Sequence, residues 1–346
     1  MQLRTAAAPH AAPITSVPRI MRHVLYALVP AALAYVWFFG YGLPINFAIA
    51  AGTALVTEAG VLKLRGRPVR PALTDGSALV TSALLAFALP PLVMWWVPAI
   101  GAFVAIAMVK QLYGGLGRNL FNPAMVGYVL LLVSFPIQMT QWIPPRADDL
   151  QFPHLGFKAS LDYSLAGRLP PGLTVDALTH ATPLDTVRQG LRAMETFSEA
   201  RAGSLFGEFG GRGWEWIEGL IALGGLYLLY AGIIRWHIPL ATLGGLLAPA
   251  ALLYLAEPSR FASPGFHLFT GASMLGAFFI ATDPVSAAAS DRGRLVYGAG
   301  IGLLTYAIRT WGGYPDGLAF AVLLMNAAVP LIDHYTRPRI YGHAKR

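Results

Sequence analysis

Residues 23–62 read HVLYALVPAALAYVWFFGYGLPINFAIAAGTALVTEAGVL. Two runs, His23 to Phe39 and Leu43 to Leu62, contain one carboxylate, Glu58, and no lysine or arginine, and Gly40-Tyr41-Gly42 separates them. A helix needs roughly 20 apolar residues to cross a ~30 Å hydrocarbon core, so the pair reads as two membrane helices. Eight more hydrophobic stretches follow: Gly76 to Leu89, Trp95 to Val109, Pro123 to Phe135, Ile217 to Ile234, Pro239 to Leu255, His267 to Ala281, Leu295 to Ile308 and Gly317 to Ile332. The shorter ones suit half-helices, or spans whose flanking residues snorkel.

The whole chain agrees with this reading. Its 346 residues are 55% hydrophobic and only 12% charged, with a mean hydropathy of +0.55, which excludes an ordinary soluble domain. The expected fold class is an all-α integral membrane protein of about ten transmembrane helices with one large extracytoplasmic loop domain. The segments are a cytoplasmic N-terminal piece (1–22), a first five-helix half (23–135), the loop domain (136–216), a second five-helix half (217–332) and a cytoplasmic tail (333–346). The first twenty residues are polar and carry two prolines before Val17, with no apolar core of a signal peptide, so the N-terminus is expected to stay inside.

Charge supports that orientation. With the N-terminus inside, the inner segments hold Arg4, Arg19 and Arg22, then Lys63, Arg65, Arg67 and Arg70, then Lys110 and Arg118, Arg235, Arg292 and Arg294, and the tail cations Arg337, Arg339, Lys345 and Arg346. Most of the remaining cations lie in the long loop, where the positive-inside rule carries little weight. The loop also holds the acids Asp148, Asp149, Asp162, Asp176, Asp185, Glu195, Glu199, Glu208 and Glu215. The net charge of +8 is scattered over helix ends. It therefore reads as topology and not as a nucleic-acid stripe.

The halves show a faint duplication. Lys110-Gln-Leu-Tyr-Gly-Gly115 ends the fourth stretch and Arg309-Thr-Trp-Gly-Gly313 the ninth. Five helices per half would invert the second copy, as in transporters with a site near the midplane. A secondary transporter, a redox membrane subunit and a structural anchor for redox partners are all open on this pattern. With no cysteine in the chain, iron–sulfur clusters, thiolate ligands and disulfides of its own are excluded, so a redox role would need an organic cofactor.

The loop segment Asp176-Ala-Leu-Thr179-His180-Ala-Thr182-Pro183-Leu184-Asp185 can carry chemistry. Read plainly, Thr182 is the N-cap of a helix that starts at Pro183. A hydroxyl in that position also faces backbone N–H groups and a helix dipole that favour phosphate.

Thr179-His-Ala-Thr182, preceded by Asp176, resembles the Ser/Thr-x-Ala-Thr flavinylation motif of the D-type component of the Rnf (Rsx) electron-transport complex and of the B-type component of the sodium-pumping NADH:quinone reductase. Further similarity lies in Arg19-Ile-Met, Trp37-Phe-Phe-Gly40, Lys110-Gln-Leu-Tyr-Gly-Gly-Leu-Gly117, Asn122-Pro-Ala-Met, Arg235-Trp-His-Ile-Pro239, Gly276-Ala-Phe-Phe-Ile280, Thr282-Asp-Pro-Val285, Gly312-Gly-Tyr-Pro-Asp-Gly317 and Tyr335-Thr-Arg-Pro-Arg339. His180 departs from the commoner Gly. The resemblance implies FMN joined to Thr182 through a phosphoester by a separate flavin transferase, with Asp176 and Thr179 completing the motif. It also implies a non-covalent riboflavin. The partners it implies are the other Rnf/Rsx components: the soluble NADH/flavin and iron–sulfur proteins (RnfB and RnfC), the flavinylated RnfG, and the small membrane proteins RnfA and RnfE. The setting is a bacterial inner membrane with both termini cytoplasmic and the large loop periplasmic, and the activity is electron transfer that drives Na⁺ or H⁺ translocation by the assembled complex and not by this chain alone.

Ionisable groups inside a membrane are functional candidates by default. Glu58 and Asp283 are the ion-pathway candidates, with Asp75 and Asp316 behind them. All four lie near predicted helix ends, where water, Lys63, Arg292 or Arg309 could satisfy them. Gly114-Gly115-Leu-Gly117 reads as close helix packing, and Arg235-Trp-His as an interfacial anchor. His237 and His267 lack partners at metal-ligand spacing, so no metal site is expected.

Overall fold

A computed structural model of the chain describes residues 16–147 and 152–336; Arg4, Asp148, Asp149 and the tail cations from Arg337 lie outside the described residues. Among these residues every regular element is helical, and only two isolated bridges pair extended backbone. The larger helices are α1 (Val17–Phe39), α2 (Gly42–Leu64), α3 (Ser77–Ala88), α4 (Trp96–Gln111), α5 (Pro123–Ser134), α6 (Phe157–Ala166), α7 (Pro183–Arg192), α8 (Trp214–Tyr230), α9 (His237–Ala256), α10 (273–280), α11 (Asp291–Trp311) and α12 (Leu318–Thr336). A helix overlaps each of the ten hydrophobic stretches. Five segments are long and apolar enough to cross a membrane: α1, α2, Val69–Ala88, α9 and α12; α4 and α5 are apolar but shorter.

Local chemistry sets the ends. Pro18 occupies the first turn of α1, where its missing N–H costs nothing, and Gly40 ends the helix with φ +74°. Asn122 caps α5 by accepting from Met125 N at 3.2 Å, again with proline next. α1 packs on α8 and α9 on α11. The second pair is close because Gly302 faces the α9 backbone, where a Cβ would lie 2.1 Å from Thr242 O. Small residues allow that approach where lipid offers no hydrophobic drive between helices.

The stretch from His267 to Ala281 is not one helix. Pro264–Leu268 forms a separate turn capped by Ser263, Gly271 breaks the chain at φ +68°, and α10 starts only at Ser273. The break occurs because Thr270 Oγ bonds back to Phe266 O while Gly271 takes a left-handed conformation. α4 and α10 both widen into π-helical turns, with Leu112 N to Ala107 O at 3.0 Å and Ala281 N to Gly276 O at 2.8 Å. Such turns put Val109, Lys110 and Gln111 all in the interior, which a regular α-helical stripe would not do.

The structure departs from two further expectations. Lys110, read as an inner charge at a helix end, is 2% exposed and paired within the bundle. The glycines 114, 115 and 117 do not pack helices together; they turn the chain with φ of +116°, +102° and +89°, and a Cβ on Gly117 would meet nothing within 4 Å.

A polar knot joins the start of α5 to α10, α11 and α12. Asn122 N donates to Asn326 Oδ1 (3.0 Å) and Asn122 Nδ2 to Ile280 O (3.3 Å), while Asn326 Nδ2 donates to Tyr297 Oη at 2.7 Å and to Ser286 O at 3.1 Å. Buried polar groups are mostly satisfied in this way.

Candidate functional site

The Thr/Asp motif straddles two helices. Thr174 caps the short helix Val175–Leu178, whose first turn carries an exposed Asp176. Thr179 Oγ donates back to Val175 O at 3.0 Å. The chain then runs extended, with His180 N donating to Trp142 O at 2.8 Å, and reaches Thr182, the N-cap of α7. The Thr182 hydroxyl accepts from Asp185 N (3.2 Å) and donates to Asp185 Oδ2 (3.1 Å). Two apolar clusters hold this stretch down. Leu178 packs with Leu92 and Tyr163, while Leu184 and Val187, three apart on one face of α7, pack with Phe197, Phe206, Ala262 and Phe266.

Thr182 and Asp185 border a cavity of about 950 Å³ at the loop end of the bundle. Its walls are mostly apolar and aromatic, including Phe87, Met125, Tyr128, Trp142, Trp214 and Leu275; the rings of Trp142 and Trp214 meet edge-on at 5.3 Å. Apolar and aromatic walls with a few polar groups at the rim are the lining that a flat aromatic ligand needs. Asp176 and Thr179 do not border it.

Charge organises the cavity floor at the start of α10. Ala272 N donates to Asp316 Oδ2 at 2.8 Å and Met274 N to Glu218 Oε2 at 2.7 Å, so two carboxylates meet the positive end of the helix. Arg309, 4% exposed, bonds Asp316 at 3.1 Å, His267 O at 2.9 Å and Ser273 Oγ at 3.0 Å. Asp316 thus pairs with Arg309, one of the partners expected from sequence. Sequence reasoning passes over Glu218, although an acid one residue into the stretch Ile217 to Ile234 carries the same signal as Glu58.

Burial pushes the Asp185 carboxyl above its ordinary value, opposed by Arg188 at 3.5 Å and by the Thr182 hydroxyl. With the folded value raised, the group's stabilisation of α7 is complete below the unfolded value and is lost as pH rises through the folded one. Asp185→Asn keeps the acceptor for Thr182 and removes the titration. Hydrogen exchange of the α7 amides, corrected for intrinsic rate, is expected to lose protection in wild type as pH rises from about 4. In the variant that protection is expected to stay flat, and equal slopes would reject the assignment.

At the opposite ends of the helices lies a second cavity of about 880 Å³, bordered by Ser77, Thr81, Lys110, Asn122, Thr282 and Asp283. Asp283 accepts from Ser286 Oγ (2.7 Å) and Val285 N (3.3 Å) and closes its own turn. Glu58, fully buried, sits behind Lys110. Its Oε1 is 2.5 Å from Lys110 Nζ and accepts from Gln111 Nε2 at 2.8 Å, while Oε2 has no hydrogen-bond partner. Lys110 Nζ also donates to Ser77 Oγ at 2.6 Å. Asp75 accepts from Ser77 N, the first amide of α3, at 2.7 Å. The partner of Glu58 is therefore Lys110 and not Lys63. Among the described residues no group of three or more histidines or acids is placed to hold a metal ion.

Long apolar helices carrying a folded loop, with a cavity at each end of the bundle, define a multi-pass membrane protein. The chain belongs to the NQR2, RnfD, RnfE family, whose model matches residues 4–342. It is 53% identical over 348 residues to the D component of the ion-translocating oxidoreductase complex of Aeromonas hydrophila, with 99% of each chain covered. It is 51% identical over 344 residues to the protein of the same description from Aliivibrio salmonicida, covering 97% of each chain. The protein of that description from Vibrio cholerae is 50% identical over 345 residues, with 98% of this chain and 99% of the relative covered.

Proposed function

We propose that this chain is a D-type component of an ion-translocating oxidoreductase complex that carries FMN as a phosphoester on Thr182. It would lie in a bacterial inner membrane with both termini cytoplasmic, the loop domain periplasmic, and RnfA, RnfB, RnfC, RnfE and RnfG as partners. The observation that carries this is the Thr182 hydroxyl, at a helix N-terminus and on the rim of an aromatic-walled cavity.

Bound there, the flavin would supply one-electron chemistry. The chain's residues do the rest. The N-terminal amides and dipole of α7 favour the phosphoryl charge next to Thr182, while Trp142, Trp214 and Phe87 exclude water from the ring. Esterification removes the proton that Thr182 donates to Asp185, so Asp185 must turn to Arg188.

The ten-helix, inverted-repeat reading draws support from two matching contacts. Lys110 bonds the serine that opens α3 and Arg309 the serine that opens α10, each at the end of the fourth helix of its half. The cavity that Lys110 and Asp283 border is the chamber we assign to the non-covalent riboflavin, and Glu58 and Asp283 beside it are the ion-pathway residues. Intact-protein mass spectrometry on the chain from its native host, with a working flavin transferase, tests the main claim. The expected mass is that of the chain plus FMN less water, mapped to the peptide holding Thr182. The bare mass from such a host would return the solute-transporter reading to the front.

A further inference from the structure

A third cavity, of about 820 Å³, opens beside the C-terminal half of α7, back to back with the flavin cavity; the two share Leu184 and Pro315. Its charged lining is cationic throughout: Arg188, Arg192 and Arg260 at the sides, Arg309 at the floor, and no carboxylate. Arg309 is occupied by Asp316 and the backbone around His267. Asp185 and Glu257 approach Arg188 and Arg260 from outside the lining at 3.5 and 3.6 Å.

Arg192 has no carboxylate partner among the described residues; its Nη2 donates to Gly312 O at 2.8 Å. Arg188 Nε is buried without a hydrogen-bond partner; burial first, and then the nearby charge of Arg192, disfavour the Arg188 cation, against the favourable charge of Asp185. An unused buried donor among like charges is costly, and an anion would relieve both faults. Guanidinium groups match phosphate oxygens through paired N–H donors.

The apolar side of the cavity identifies the source of the phosphate. Phe261 and Trp311 line it, and Trp311 is 64% exposed at the end of α11. The last turns of α9, just before Arg260, expose Leu252 and Leu255. Exposed tryptophan above exposed leucine is the pattern of a headgroup boundary.

We propose that this cavity binds the phosphate of an anionic phospholipid, with Arg188, Arg192 and Arg260 on the headgroup and the acyl chains along the exposed leucines of α9. A soluble phosphate would satisfy the arginines but leave the leucines unused. The site sits behind the helix that begins at Thr182, and its existence does not depend on the flavin reading.

Native mass spectrometry of the full chain, titrated with phosphatidylglycerol, with phosphatidylcholine and with inorganic phosphate, tests it. Phosphatidylglycerol is expected to bind more tightly than phosphatidylcholine, and Arg192→Gln with Arg260→Gln to weaken it by about tenfold. Lysine at both positions should restore most of the binding. Both side chains are exposed, so folding should survive, and an unchanged melting temperature checks that. Equal phosphatidylglycerol binding by wild type and the glutamine pair overturns the proposal, and so does binding of inorganic phosphate without the lipid.

Discussion

Thr182→Val is expected to yield a folded chain with no covalent flavin, while Thr182→Ser keeps it. Valine has the shape of threonine without the hydroxyl, so no phosphoester can form. The structural cost is the N-cap, about 1 kcal/mol, because Asp185 N loses its acceptor and Asp185 Oδ2 loses a donor. That loss does not unfold α7, since Leu184 and Val187 are buried among Phe197, Phe206 and Phe266. Serine restores both hydrogen bonds and the nucleophilic oxygen. In-gel flavin fluorescence with peptide mapping reads the outcome. Flavin retained in Thr182→Val and mapped to Thr179 would move the acceptor to a side chain whose hydroxyl is already spent on Val175 O. It would also detach the aromatic cavity from the chemistry. Loss in both variants would mean that the motif tolerates no change of shape, and the attachment point would then need another assignment.

The local features of this site were readable in the chain. Thr182-Pro183 announces a capped helix start because the threonine hydroxyl accepts from the amide three residues on, while proline at the first helical position has no N–H left to satisfy, and α7 begins there. Gly40 ends α1 for an equally local reason, its positive φ. What the sequence could not display is that Lys110 meets Glu58. Lys110 and Glu58 are separated by a whole helix in the chain, and the π-helical turn that aims Lys110 and Gln111 inward depends on packing and not on propensity. The broken stretch before α10 was hidden for the opposite reason. It holds no aspartate, glutamate, lysine or arginine, so hydropathy runs on through Gly271, while the carboxylates that cap the new start, Glu218 and Asp316, come from the two distant segments that flank it.

Lys110→Met is expected to destabilise the chain by about 3–5 kcal/mol, the usual effect of removing one partner of a buried ion pair. Glu58 would be left fully buried with one hydrogen bond, from Gln111 Nε2, and an Oε2 already without a partner. Ser77 Oγ would lose its donor too. The double change Lys110→Met with Glu58→Gln removes both charges and keeps the volume, so it should recover most of that loss in thermal or detergent unfolding. The double variant then separates structure from function, because its fold no longer depends on the pair. If Glu58 takes the coupling ion, the double variant, reassembled with its partner proteins, keeps electron transfer and loses redox-driven ion uptake. If uptake survives, Lys110 and Glu58 are a strut that positions α3. The unpaired Oε2 would then be a strain that the fold bears, and the ion path would run past Asp283 or through a neighbouring protein of the complex.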